Sequence, residues 1–134
     1  MKKSIFITGA SGFIGSHLTE KLLKRGYKVT ALVPYDINSS KGWLKKVQNV
    51  NLKIIPGDIC DENFILKNTK NFYAIIHLAA LISIPYSYAS PKSFIKTNIE
   101  GTYSILEAGR KNNIKKIIHT STSEVYGSAQ YSPI

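Results

Sequence analysis

Hydrophobic and polar positions along this chain switch between two periods, and the switching predicts its elements. Short apolar runs recur at Ser4–Thr8, Lys28–Val33, Leu52–Pro56, Tyr73–Leu78 and Lys116–Thr120, and they read as strands. Amphipathic segments lie between them. One helix is expected over about Gly12–Arg25, with Gly26 placed to end it. A short helix follows at about Gly42–Val47, and another runs from an Asp61 cap to about Lys67. Ser90-Pro91, a cap followed by a first-turn proline, opens a long helix to about Lys111. The first, fourth and fifth strands barely alternate: Ile5-Phe6-Ile7, Ala74-Ile75-Ile76 and Ile117-Ile118. Such runs suit strands buried on both faces, hence a parallel sheet covered by helices.

Strand and helix alternate throughout, and right-handed crossovers wind such a chain into a doubly wound α/β sheet. The expected architecture is Rossmann-type, with strand order 3-2-1-4-5. Tyr131-Ser132-Pro133-Ile134 comes soon after the fifth strand, where this fold commonly adds a sixth. Residues 1–134 are therefore expected to be one domain, the N-terminal part of a longer protein.

The turn after the first strand carries the strongest chemical signal. Thr8 is followed by Gly9, Gly12 and Gly15 with Phe13 and Ile14 between them, and then by an amphipathic run from Leu18 to Leu23. Gly9 permits a tight turn, Gly12 lets backbone approach a pyrophosphate, and Gly15 lets the helix pack on the strand. Free N–H groups and the positive helix end then face an anion. A three-glycine pattern alone is weak, but its strand–turn–helix context supports a dinucleotide cradle.

Composition changes the picture little. The 134 residues are 43% hydrophobic and 19% charged, which describes a globular chain with a real core. No apolar run reaches the length of a membrane span, so no membrane partner is expected. Cys60 is the single cysteine, and the start Met-Lys-Lys leads into a strand rather than a secretory leader, which together point to the cytoplasm. Net charge is +10, but the cations are scattered in pairs such as Lys24-Arg25 and Lys115-Lys116 at helix ends and turns. Without an aromatic and basic recognition motif, nucleic acid is not the expected partner. The three histidines lack metal-ligand spacing, so no metal is expected.

In a sheet of this kind ligands bind at the C-terminal strand ends. Val33, where a ribose-binding carboxylate is common, is apolar, and Asp36 lies three residues on, which leaves NAD and NADP both open. Tyr35 either stacks on adenine or covers the sheet edge. Asp58, with Ile59 after it, either stabilises a turn or accepts a hydrogen bond from adenine. Leu78, Ala79 and Ala80 are small enough to let backbone approach the cofactor. His77 and His119 lie inside strands and read as core histidines, and His17 lies on the first helix. Cys60 reads as a structural thiol. Thr120-Ser121-Thr122-Ser123-Glu124-Val125-Tyr126 is either a Ser/Thr-rich turn or the place where a substrate meets the nicotinamide.

These motifs together resemble the extended short-chain dehydrogenase/reductases, the NAD-dependent epimerase/dehydratase family. The resemblance runs from Thr8-Gly9-Ala10-Ser11-Gly12-Phe13-Ile14-Gly15 through Leu78-Ala79-Ala80 and Thr97-Asn98-Ile99-Glu100-Gly101-Thr102 to Ser121–Gly127. It implies NAD or NADP as cofactor, held by Gly9, Gly12, Phe13, Ile14, Gly15, Asp58, Ile59, Leu78, Ala79, Ala80, Asn98 and Thr120. It also implies a nucleotide-sugar substrate and a homodimer paired through the Pro91–Lys111 helix. Thr122-Ser123-Glu124 looks like the Thr-x-Glu element of nucleotide-sugar 4,6-dehydratases. Gly42-Trp43-Leu44 and Ala79–Tyr88 resemble the N-acetylglucosamine-nucleotide 4,6-dehydratases of nonulosonic-acid synthesis. The implied reaction on a UDP- or GDP-sugar oxidises C4, removes the C5 proton as the C6 hydroxyl leaves, and returns the hydride to C6. Thr122 would bond the C4 hydroxyl and Glu124 would be the C5 base. Ser123 stands where glucose-type enzymes carry an acid, which leaves the proton donor open, with Glu124 a candidate for both steps.

The family's Tyr-x-x-x-Lys pair is missing, since Gln130 lies four residues after Tyr126. In the family that pair falls downstream, so residues 1–134 are expected to bind cofactor without turning substrate over. Rival readings are a UDP-glucuronate decarboxylase, a 4-epimerase, and a non-catalytic dinucleotide sensor.

Overall fold

A computed structural model describes residues 3–35 and 41–131. Five strands form one parallel sheet: β1 Ser4–Thr8, β2 Lys28–Val33, β3 Leu52–Pro56, β4 Ala74–His77 and β5 Ile117–His119. Their order is β3-β2-β1-β4-β5, as the alternation predicts. Registers are tight at the centre, with Ile7 opposite both Ala31 and Ile76, and Thr8 opposite His77.

Side chains alternate across the sheet, so its two faces carry separate cores. Ile5, Ile7, Val29, Ala31, Val33 and Ile76 share one with Leu23 of helix α1 (Phe13–Lys24). Phe6, Leu32 and Ile75 share the other with Ile65 of α2 (Glu62–Asn68) and with Ile105 and Ala108 of α5 (Gly101–Lys111). Helix caps fall where local chemistry puts them. Gly26 takes φ +83° just past α1, and the Asp61 carboxylate accepts from the Phe64 N–H at 2.9 Å to start α2.

The short helix expected at about Gly42–Val47 is a 3-10 helix, Gly42–Lys46. Three features depart from expectation. The segment before the long helix holds a helix of its own, α3 Ile84–Ala89, capped by Ser83 with Pro85 in its first turn. The same cap-and-proline signal repeats at Ser90-Pro91, and the apolar and aromatic run between the two concealed the first. The long helix is broken into α4 Pro91–Phe94, a π-helical stretch Ile95–Glu100 and α5. Thr102 and Ser104 donate hydroxyls to the carbonyls four residues back, at 2.7 and 3.0 Å, and so compete with the helical backbone there. Finally, β5 is not buried on both faces: Ile118 is 58% exposed and His119 lies at the surface, because no helix covers this edge among the described residues. His119 is therefore not a core histidine.

Candidate functional site

The glycine turn is forced by the space around it. Gly9 takes φ +65°, and a Cβ there would lie 2.7 Å from the Ala79 nitrogen. A Cβ on Gly15 would collide with the Gly9 carbonyl oxygen and lie 2.7 Å from the Ala10 Cα. These two glycines thus clamp β1, β4 and the start of α1 together. Gly12 differs, because a Cβ there would meet only the Gly9 oxygen, at 3.4 Å. Gly12 is the N-cap of α1 and offers no side-chain acceptor, and the first turn carries no acidic residue. The leading N–H groups of a twelve-residue helix are thus left uncapped by side chains, with the positive end of its dipole behind them. This cradle fits a pyrophosphate. Phe13 and Ile14 are exposed beside it.

Thr8 organises the strand ends. Its hydroxyl oxygen accepts from the Leu78 and Ala79 N–H groups at 3.2 and 3.1 Å and lies 2.6 Å from His77 Nδ1. His77 Nε2 in turn lies 3.0 Å from the Thr102 hydroxyl. His77 is the satisfied core histidine that its strand position suggests. Burial, with help from the nearby charge of His119, lowers its pKa to about 4. The histidine rings stack with centroids 5.2 Å apart. His17 is exposed, its ring tilted 53° to that of Phe13 with centroids 4.7 Å apart, and its Nδ1 lies 2.8 Å from the Phe13 oxygen.

The remaining expected site residues divide by what their side chains already do. Asp58 is exposed and accepts from the Cys60 N–H at 2.9 Å, so the turn-stabilising role is realised. The Ile59 side chain is buried against Gly101, which leaves only its backbone to face a ligand. Asn98 spends both ends of its amide on Leu81, accepting from its N–H at 2.8 Å and donating to its carbonyl at 2.9 Å. It shapes the loop after β4, and its second Nδ2 proton and second Oδ1 lone pair take no part in those two bonds. Ala80 is exposed, and the Thr120 N–H donates to the His77 carbonyl at 3.3 Å. Cys60 donates from Sγ to the Lys96 carbonyl at 3.3 Å, and burial together with Asp58 pushes its pKa to about 11, which makes it a structural thiol.

Thr122, Ser123 and Glu124 lie on a 3-10 turn, Ser123–Tyr126, just beyond β5. The Thr122 hydroxyl accepts from the Glu124 N–H at 3.3 Å, and all three residues are exposed. Among the described residues no hydrogen bond ties this turn to the glycine turn. Tyr35 is exposed beyond β2, and Asp36 lies outside the described residues. Sequence reasoning missed Thr102; a hydroxyl four residues after Asn98 on one helix face was its only signal.

The comparisons agree with this geometry. The family described as GDP-mannose 4,6 dehydratase matches residues 6–134, so the chain belongs to that family of extended short-chain dehydrogenase/reductases. It is 42% identical over 129 residues to a UDP-N-acetyl-alpha-D-glucosaminuronate decarboxylase of Bacillus cytotoxicus, covering 95% of this chain and 39% of that protein. A UDP-N-acetylglucosamine 4-epimerase from Methanobrevibacter ruminantium M1, solved with UDP-N-acetylmuramic acid, superposes with TM-score 0.87 at 37% identity, over 100% of this chain and 43% of that one. The enzyme WbmH of Bordetella bronchiseptica, solved with NAD+, superposes with TM-score 0.84 at 28% identity, over 100% of this chain and 44% of that one. The chain thus spans between a fifth and two fifths of the length of the curated relatives it matches. The family depends on NAD or NADP, the cofactor class that the glycine turn implies.

Proposed function

We propose that this chain is the N-terminal, cofactor-holding part of a nucleotide-sugar 4,6-dehydratase acting on UDP- or GDP-N-acetylglucosamine. The observation that carries the reading is a carboxylate two residues after a threonine, Thr122 and Glu124, exposed on the turn beyond β5. That turn belongs to the sheet edge at which β1 presents its glycine cradle. Bound NAD(P)+ would supply a hydride acceptor for C4 and, once reduced, a donor for C6. The C4 hydroxyl proton would pass to the Tyr of the family's Tyr-x-x-x-Lys pair, which residues 1–134 do not carry. This chain's own residues take the remaining roles. The uncapped start of α1 binds the pyrophosphate, and the Leu78–Ala80 backbone lines the nicotinamide side. Thr122 hydrogen-bonds the C4 hydroxyl. Glu124 removes the C5 proton once C4 is a ketone and returns a proton to the departing C6 hydroxyl, a task Ser123 lacks the acidity to perform.

A second reading is favoured by the 42% identical relative, a uronate decarboxylase. Its chemistry also begins with a ketone at C4, but then releases carbon dioxide from C5 and needs no C5 base. One experiment separates the two. The full-length enzyme and its Glu124→Gln variant are offered UDP-N-acetylglucosamine and its uronic acid, with 4-keto-6-deoxy sugar and carbon dioxide as readouts. The dehydratase reading expects keto-sugar from the first substrate, lost at least a hundredfold in the variant, on the scale of a missing general base. Carbon dioxide from the second substrate with no keto-sugar from the first would overturn it.

The same enzyme is proposed to be a cytoplasmic homodimer. Ile95, Ile99, Tyr103 and Leu106 are exposed along the Pro91–Lys111 segment and support pairing there. No helix among the described residues is long and apolar enough to cross a membrane.

A further inference from the structure

Counting donors around Thr8 fixes the direction of a hydrogen-bond chain that runs through the middle of the sheet. A threonine hydroxyl has one proton and two acceptor positions. The Ala79 N–H donates to the Thr8 hydroxyl oxygen at 3.1 Å and the Leu78 N–H at 3.2 Å, the latter shared with the Thr8 carbonyl at 3.3 Å, so two donors face the two acceptor positions of that hydroxyl. Its one proton therefore goes to His77 Nδ1, 2.6 Å away. With Nδ1 accepting, the ring proton sits on Nε2 and is donated to the Thr102 hydroxyl at 3.0 Å. Thr102 passes its own proton to the Asn98 carbonyl at 2.7 Å, on the π-helical stretch. The Asn98 amide then holds Leu81 through both its N–H and its carbonyl. The loop after β4 is thereby held at both ends, Leu78-Ala79 from β1 and Leu81 from the π turn, and His77 joins the two anchors. His77 is 1% exposed and Thr8 fully buried, so water does not compete for either bond.

We propose that His77, held as the Nε2–H tautomer, is the positioning residue that joins the glycine turn to the Leu78–Leu81 loop and sets the nicotinamide-side wall of the cofactor crevice. Its two nitrogens act on different anchors. The Nδ1 side orients the Thr8 hydroxyl, and the Nε2 side orients Thr102 and, through Asn98, Leu81. The placement of the cofactor in that crevice rests on the proposed function; the tautomer and the loop restraint do not.

The test uses the 134-residue chain with NAD+ as the probe. Nitrogen NMR of the His77 ring at pH 7 is expected to show a single tautomer with Nε2 protonated, and Thr102→Val, which deletes one hydroxyl, should leave the fold intact by circular dichroism. That variant should speed amide exchange at Leu81 about tenfold, the scale of one lost hydrogen bond, and leave Ala79 unchanged. His77→Asn keeps an acceptor near the Nδ1 position and should match Thr102→Val, and the double variant should add nothing. His77→Leu should speed exchange at both Ala79 and Leu81 and weaken NAD+ about tenfold or more. A ring proton on Nδ1, additive single variants, or unchanged Leu81 exchange would overturn the proposal. If wild-type chain fails to bind NAD+ while tautomer and exchange behave as stated, the cofactor reading fails and the positioning role of His77 stands.

Discussion

The two sides of the candidate crevice are built differently. On the cradle side, Gly9 and Gly15 bring backbone against backbone, Thr8 gathers two amides, and Phe6, Ile7 and Ile75 are completely buried. On the other side, β5 is three residues long with Ile118 and His119 exposed, and Thr122–Glu124 stand in solvent. The cradle side is determined by contacts within this chain. The turn beyond β5 is held by local hydrogen bonds: the Glu124 N–H donates to the Thr122 hydroxyl at 3.3 Å, the Val125 N–H to the Thr122 carbonyl at 3.5 Å and the Gly127 N–H to the Glu124 carbonyl at 3.1 Å. Cofactor geometry is thus preformed here, whereas the geometry of Glu124 depends on whatever else packs against that edge.

Four tests probe the contrast, ordered by the largest effect each is expected to show. Gly15→Val drives a side chain into the Gly9 carbonyl and should cost about 4 kcal/mol in urea denaturation; a loss below about 1 kcal/mol would show that the clamp can yield. Ile75→Ala, from a fully buried position, should cost about 3 kcal/mol, whereas Ile118→Ala should cost less than about 1 kcal/mol because that side chain is already 58% exposed. Equal losses would mean that β5 is as well packed as β4.

Acid should act on the cradle side through His77. Its folded pKa of about 4 lies below the ordinary 6.5, so the folded state binds fewer protons than the unfolded one. Stability is complete above about pH 6.5 and is lost as pH falls toward 4, by up to roughly 3 kcal/mol. Denaturation midpoints followed across that window should fall, and His77→Gln should flatten the dependence. A smaller effect than that of acid is expected at Gly127, beyond β5. It takes φ +72° with open space where a Cβ would stand, so Gly127→Ala carries only backbone strain, about 1–2 kcal/mol by thermal melting.

Much of the fold is legible in the residues alone. The alternation of periods gives the strands, and the sheet order follows from crossover handedness once the five runs are recognised. The glycine turn names its own ligand class because each glycine has a distinct steric duty. Less legible is the stretch from Leu81 to Gly101. Ser83-Ile84-Pro85 carries a helix-start signal like that of Ser90-Pro91, but its helix is short and its residues are aromatic, so periodicity is absent. Asn98 reads as a cofactor contact from its motif, and its two bonds to Leu81 show a loop-shaping duty that the motif does not announce. Ile59 is similar, since its side chain fills the space Gly101 leaves open.

Residues close together along the chain are enough to dictate the parallel α/β order, the phosphate cradle and the position of Thr122 and Glu124 past the last strand. Those features depend on interactions within a few residues: φ restrictions, caps and the period of apolar positions. It takes the assembled fold to make β5 an uncovered edge, to relax the long helix into a π turn, and to commit Asn98 to a loop. The fold also sets the tautomer of His77. That proton is assigned by Thr8, 69 residues away, and by Thr102, 25 residues away. Hydrogen-bond direction between such distant groups follows from which donors and acceptors the fold brings together, and no local pattern of residues encodes it.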